Sequence, residues 1–422
     1  MNTRRNFIQQ LGLGMAIPAL SSFDLPPKVI PPFPSPKLQA EDFWTELRRQ
    51  FPLTSDRVYL NNGTFGPAPF SVLQAMEVSN LQINTSGEYG NSDQERVKLA
   101  EFFRIKPTEF SITHNTTEGI NIMAWGVPLK AGDEVILTTH EHAGNALPWL
   151  NRAKLDGIVL RTFEPKSTQA ENLIEIQKLI NPRTKVIAIP HVTCTTGLVF
   201  PIKEICDLAK KNGILTAIDG AHGAGTFDLD LYGLGCDFYA GCFHKWMLGP
   251  SGTAFLFIRE ESLEKLKAIM IGGHSDIGWD MTVNPPEFKG YVPSARRFDY
   301  GTQSKTLAVG MVAAADFHSQ IGKQKVEARV KELNQYLFDG LTELSSKLEI
   351  LTPEEKESRI SVISFRPKTM DFNACGAELA KAGFRIRLVH EGKVNAVRVS
   401  THVYNSKAEL DAFLKELDRI LV

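Results

Sequence analysis

The chain has 422 residues, 43% of them hydrophobic and 23% charged, which bounds it as a packed globular protein with room for one large domain and a smaller one. Lysine and arginine number 47 against 48 aspartate and glutamate, a formal charge of -1, so the charge balance gives no support for nucleic-acid binding. The five cysteines stand at 194, 206, 236, 242 and 375 with no CxxC pair; the odd count argues against a disulfide framework, and no metal site is expected.

The N-terminus reads as a separate object. Arg4-Arg5-Asn6-Phe7 precedes a short, weakly apolar core ending near Ser21-Ser22, a pattern resembling a twin-arginine export signal over 1–22. The apolar core is too short for a membrane span, so a periplasmic or extracellular destination after cytoplasmic folding is expected. Residues 23–38 are rich in proline and read as an extended linker. Apolar spacing then predicts helices over 39–50, 70–82 and 95–103. A short strand near Ile112 feeds the polar turn His114-Asn115-Thr116-Thr117, with a helix over 119–125. Strands follow at 135–138, 158–160 and 185–190, separated by helices at 171–179 and 202–212. This strand–helix rhythm predicts an α/β fold with a mostly parallel sheet covered by helices.

Past residue 304, helices are expected at 305–320 and 322–348, then strands at 360–365, 384–388 and 396–400 with helices at 373–381 and 407–417, the last capped by Ser406. This suggests a small α+β domain over 305–422, to which 39–60 would add an N-terminal segment, with the large domain over 61–304.

The stretch 214–260 carries the chemistry. An apolar run, Ile214 to Ile218, reads as a buried strand ending on Asp219. A second, Cys236 to Ala240, ends before Cys242-Phe243-His244-Lys245. Both charged groups therefore sit just beyond buried strands, where α/β folds place their sites. A lysine among apolar and aromatic residues, with a carboxylate at an upstream strand end, is the pairing a pyridoxal phosphate (PLP) site requires: lysine forms the imine, and the carboxylate keeps the pyridine nitrogen protonated.

The segments Asp219-Gly220-Ala221-His222 and His244-Lys245 resemble the class V aminotransferase group of fold-type I PLP enzymes, which includes cysteine desulfurases and isopenicillin N epimerases. The resemblance implies a mostly parallel seven-stranded sheet between helices, a smaller C-terminal α+β domain, and a homodimer with shared active sites. It implies roles for individual residues: Lys245 as imine-forming base, Asp219 at the ring nitrogen, and His142 stacked on the ring. His222 and Thr193 would lie on the phenolic-oxygen side. Thr116, Thr117, Thr302 from the other subunit, and the segment Cys242 to His244 would hold the phosphate. Arg398 would grip the substrate carboxylate, and Asn61, in the turn Asn61-Asn62-Gly63-Thr64, would line the mouth. Cys194 stands where many relatives have asparagine, and Cys242 where many have a serine or threonine. The loop 388–395 has no cysteine, although desulfurases need a nucleophilic one there. The implied function is α-proton abstraction from an amino acid or its derivative, like isopenicillin N epimerase; the alternatives are an aminotransferase, a C–S or β-elimination lyase, and a non-catalytic binding protein.

Overall fold

Buried apolar runs set the frame. The computed structural model describes residues 30–421; the expected export signal at 1–22 and the first part of the linker lie outside them. The strands, in chain order, are β1 (Val58–Tyr59), β2 (Phe110–Thr113), β3 (Glu134–Thr138), β4 (Val159–Phe163), β5 (Thr184–Pro190), β6 (Leu215–Asp219), β7 (Phe238–Cys242), β8 (Ala254–Ile258), β9 (Trp279–Asp280), β10 (Glu287–Phe288), β11 (Leu348–Ile350), β12 (Val362–Pro367), β13 (Phe384–Arg385), β14 (Arg387–Val389) and β15 (Ala396–Ser400). Seven of them form one sheet in the order β2-β8-β7-β6-β5-β3-β4. The pairs from β7 through β4 are parallel, and β8 is antiparallel to both β7 and β2. β2 therefore runs with the parallel strands, and its carboxyl end opens on the same edge as theirs.

Strands β2, β3, β6, β7 and β8 are buried almost without break, as expected of a sheet covered on both faces. A second, antiparallel sheet has the order β11-β12-β15-β14. Its core joins Leu60, Phe365, Val397 and Val399 to Leu410, Phe413 and Leu417 of the C-terminal helix Lys407–Ile420. Ser406 caps that helix: its hydroxyl accepts from the Glu409 N–H, and the Glu409 side chain returns the bond.

Two expectations are corrected and one helix is added. The helix expected to reach Leu348 stops at Glu343, and Leu348 to Ile350 pairs with β12. The strand expected over 384–388 breaks at Ile386: β13 pairs with β1, whereas β14 pairs with β15. The fourteen-residue helix Ala143–Asp156 was not anticipated; it carries Pro148 inside it and Gly144 in its first turn, both of which weaken a helical signal in sequence.

Buried histidines brace the core, and one of them, His402, ties the segment after β15 to the loop after β7. His191 stacks on Phe227 and pairs with the Tyr239 hydroxyl at 3.0 Å. His402 donates from Nε2 to the Trp246 carbonyl at 2.9 Å, since its Nδ1 accepts from the Val403 N–H. Burial pushes His191 and His402 down to about 3, and His318 to about 4. These folded values lie below the unfolded value of about 6.5, so their contribution is present above pH ~6.5. It is lost as the pH falls toward the folded values. At pH 5 the loss is about 2 kcal/mol for each such group. Urea unfolding at pH 7 and pH 5 should show this loss, and His191→Gln should shrink the difference by about 2 kcal/mol.

Candidate active site

The carboxyl edge of the large sheet holds a cavity of about 230 Å³ lined by Thr116, Thr117, His142, Asp219, Lys245 and Arg398, among others. Each reaches it for a local reason. Asp219 ends β6, and its Oδ1 accepts from the Ala221 N–H at 2.9 Å. Lys245 follows β7 in a loop closed by Leu248 N–H to the Lys245 carbonyl and Gly249 N–H to the Phe243 carbonyl. Asn115 caps the helix Thr116–Gly126 by accepting from the Glu118 N–H, which leaves the N–H groups of its first turn at the cavity.

His222 is held in one tautomer. The Trp246 indole N–H, a donor only, points at His222 Nδ1 at 3.2 Å. Burial, and then Lys245, pushes His222 well below the usual imidazole range, so the ring is neutral and its proton sits on Nε2. That Nε2–H lies 3.2 Å from Lys245 Nζ. His142 caps the helix Ala143–Asp156, with its Nδ1 accepting from the Gly144 N–H at 3.0 Å. Burial, and then Lys245, pushes it down as well, and its remaining N–H is again Nε2. Nearby Glu141 is buried and pushed up to about 8, burial outweighing its bonds from Asn145 and Thr138.

Arg398 is 1% exposed. Its Nη1 donates to the Cys194 carbonyl at 2.8 Å and its Nη2 to Thr64 Oγ1 at 2.9 Å. Thr64 in turn donates to Asn61 Oδ1 at 2.8 Å, so Asn61 stands behind Thr64 rather than in the cavity wall. The turn carrying them clamps the lysine loop: the Gly66 N–H donates to the His244 carbonyl at 2.8 Å. A Cβ on Gly66 would lie 1.8 Å from the Lys245 carbonyl oxygen, which only glycine tolerates.

Most of the residues singled out in the sequence meet here: Thr116, Thr117, His142, Asp219, His222, Cys242, His244, Lys245 and Arg398 all line the cavity. Thr193 does not, and its hydroxyl is committed to Thr196 and the Leu198 N–H. Thr302 lines a separate small hollow with Tyr89, His274 and Asp299. The turn expected at the mouth does reach the cavity, through Gly63 and Thr64 rather than Asn61, whereas sequence reasoning missed Trp246 and Arg387. A larger groove of about 1060 Å³ at the opposite edge of the sheet contains none of the predicted residues.

The family model described as aminotransferase class-V matches residues 75–413. The chain belongs to that family. It is 30% identical over 406 residues to a probable cysteine desulfurase of Halalkalibacterium halodurans, covering 89% of this chain and 97% of the relative. It is 29% identical to an isopenicillin N epimerase of Streptomyces clavuligerus, covering 89% and 98%. Among solved structures, a mutant of the cystine C–S lyase C-DES with glycine covalently linked to its PLP cofactor superposes with a TM-score of 0.81 at 25% identity, covering 88% of this chain and 98% of that one. The class-V aminotransferases to which this chain belongs are PLP-dependent enzymes.

The cavity fits PLP. Three buried polar atoms in its lining residues have no hydrogen-bond partner: Thr116 Oγ1, His244 Nδ1 and Arg398 Nε. The weakly polar Cys242 thiol lies beside Thr116. Thr116 Oγ1, with the free helix N-terminus, offers donors for a phosphate, and Arg398 Nε is a further donor in the cavity wall. Gly144 keeps the approach open, since a Cβ there would lie 2.5 Å from Thr117 Oγ1.

All five cysteines are buried and free. Burial pushes Cys194 and Cys375 up to about 11 and Cys206 up to about 12. A thiol, not a thiolate, is present in each at neutral pH. A thiol reagent at pH 8 should label none of the five in the folded protein and all five after unfolding in denaturant.

Proposed function

We propose that the protein moves the α-proton of an amino acid or amino-acid-derived substrate, with an outcome like that of isopenicillin N epimerase. The observation that carries this is the convergence of Lys245, Asp219 and the buried, incompletely partnered Arg398 on one cavity. When bound, PLP supplies an aldehyde for the substrate amine and a ring that accepts electron density from the α-carbon. The rest falls to the chain. Thr116, Thr117 and His244 hold the phosphate, and Asp219 takes the ring nitrogen. Arg398 pairs with the α-carboxylate in a fork that fixes which Cα bond is presented. Lys245 Nζ then takes the α-proton, and the neutral His222 ring lies 3.2 Å from it as a neighbouring polar group. His142, neutral and half-buried, is a second proton carrier in the same cavity.

Persulfide transfer is disfavoured. The loop 388–395 has no cysteine, and the two thiols in the cavity wall, Cys194 and Cys242, are both raised by burial. A C–S or β-elimination lyase is the second reading, favoured by the likeness to C-DES. An amino-acid panel in deuterated water separates the readings: substrate racemised with deuterium at Cα supports the epimerase, keto acid with ammonia the lyase, and turnover only with a keto-acid acceptor the transferase. Borohydride should fix PLP on Lys245 in the wild type; a lysine-bound adduct persisting in Lys245→Ala refutes the assignment.

We also infer a homodimer in which Thr302 serves the partner's phosphate. Two features support it: Thr302 sits apart from the Lys245 cavity, and the neighbouring stretch exposes Ile277, Trp279, Met281 and Phe288. Sedimentation equilibrium should give twice the chain mass of 46.9 kDa; a monomer at micromolar concentration refutes it.

A further inference from the structure

Arg387 lines the cavity and has no role in the mechanism above. It leaves β14 directly opposite Arg398 on β15. Side chains so paired start about 5 Å apart, and like charges in that position repel. Such a pair persists where something else balances it. Glu391, in the turn after β14, forms an ion pair with Arg387 but is not part of the cavity wall. The wall thus presents two guanidiniums to a ligand, while the carboxylate paired with Arg387 is not among the lining residues.

The two arginines differ in how much they have left to give. Arg398 is fully buried with Nε unpartnered, whereas the Arg387 side chain is 24% exposed and reachable from the cavity. The mutual repulsion is felt: after burial, Arg387 is the next cause that pushes Arg398 down to about 9, and it bears on His142 and His222 too. One incoming carboxylate on Arg398 leaves the second guanidinium still facing the cavity.

We propose that Arg387 and Arg398 together form a site for two carboxylates, so that the substrate is an amino acid or amino-acid derivative bearing an acidic group beyond its α-carboxylate. This rests on the function proposed above only for the fate of the amine. The α-carboxylate takes Arg398, and the second acid takes Arg387, in competition with Glu391. A chain of a few carbons between the acids matches two side chains rising from neighbouring strands.

The test uses the full-length protein and two ligands without an amine, glutarate and butyrate, titrated by calorimetry. Glutarate should bind at least about tenfold more tightly than butyrate, as expected for one further charged hydrogen-bonded pair. Arg387→Gln should bring the two within about twofold of each other. Glu391→Gln, which removes the competing carboxylate, should tighten glutarate several-fold and decides the matter should Arg387→Gln not fold. Equal affinities in the wild type, an unchanged ratio in Arg387→Gln, or no tightening in Glu391→Gln each overturns the proposal. Failure of the α-proton reading is seen separately, as absence of a borohydride-fixed adduct on Lys245, and leaves the glutarate preference intact.

Discussion

The indole N–H of Trp246 resting on His222 Nδ1 is the contact on which the rest of the site depends. It settles where a neutral imidazole keeps its proton, and so what Lys245 Nζ meets across 3.2 Å. The contact is itself held from behind. Trp246 stacks on His402, whose Nε2–H binds the Trp246 carbonyl, and His402 stacks on Tyr404. A chain of flat rings thus runs from the second sheet's C-terminal segment to the lysine, and none of its members is free to turn. Preorganisation of this kind spares a site from reorienting its dipoles during reaction.

The turn at 61–66 makes the complementary connection. It reaches β15 through the Gly63 N–H to Ser400 Oγ bond and the lysine loop through Gly66. Through Thr64 it also holds a guanidinium nitrogen of Arg398. The group assigned to the carboxylate and the group assigned to the amine are therefore fixed to one short piece of backbone. Distance between them is set by covalent geometry and a few hydrogen bonds, not by the packing of two independent bodies.

Much of this could be read from residues alone, and the limits have physical causes. Buried strands announce themselves as apolar runs, so β6 and β7, with the Asp219 that ends one and the Lys245 that follows the other, were apparent. So was the cap at Ser406, which depends on neighbours three residues apart. The helix Ala143–Asp156 escaped because tertiary packing overrides the poor local propensity of Gly144 and Pro148. Arg387 escaped because its importance lies in register: only the pairing of β14 with β15 sets it against Arg398. Trp246 adjoins the lysine in sequence, yet nothing along the chain reveals that its indole meets an imidazole twenty-four residues upstream.

The five cysteines have a consequence for the chain's history rather than its chemistry. Folded, each is shut away without a sulfur partner, and the molecule is indifferent to the redox poise around it. Unfolded in oxidising surroundings, the same chain would expose an odd number of thiols, whereas the finished structure holds all five unpaired. Such a polypeptide is best served by acquiring its shape while its surroundings are still reducing, and the order of folding and oxidation then matters more to its survival than any single contact.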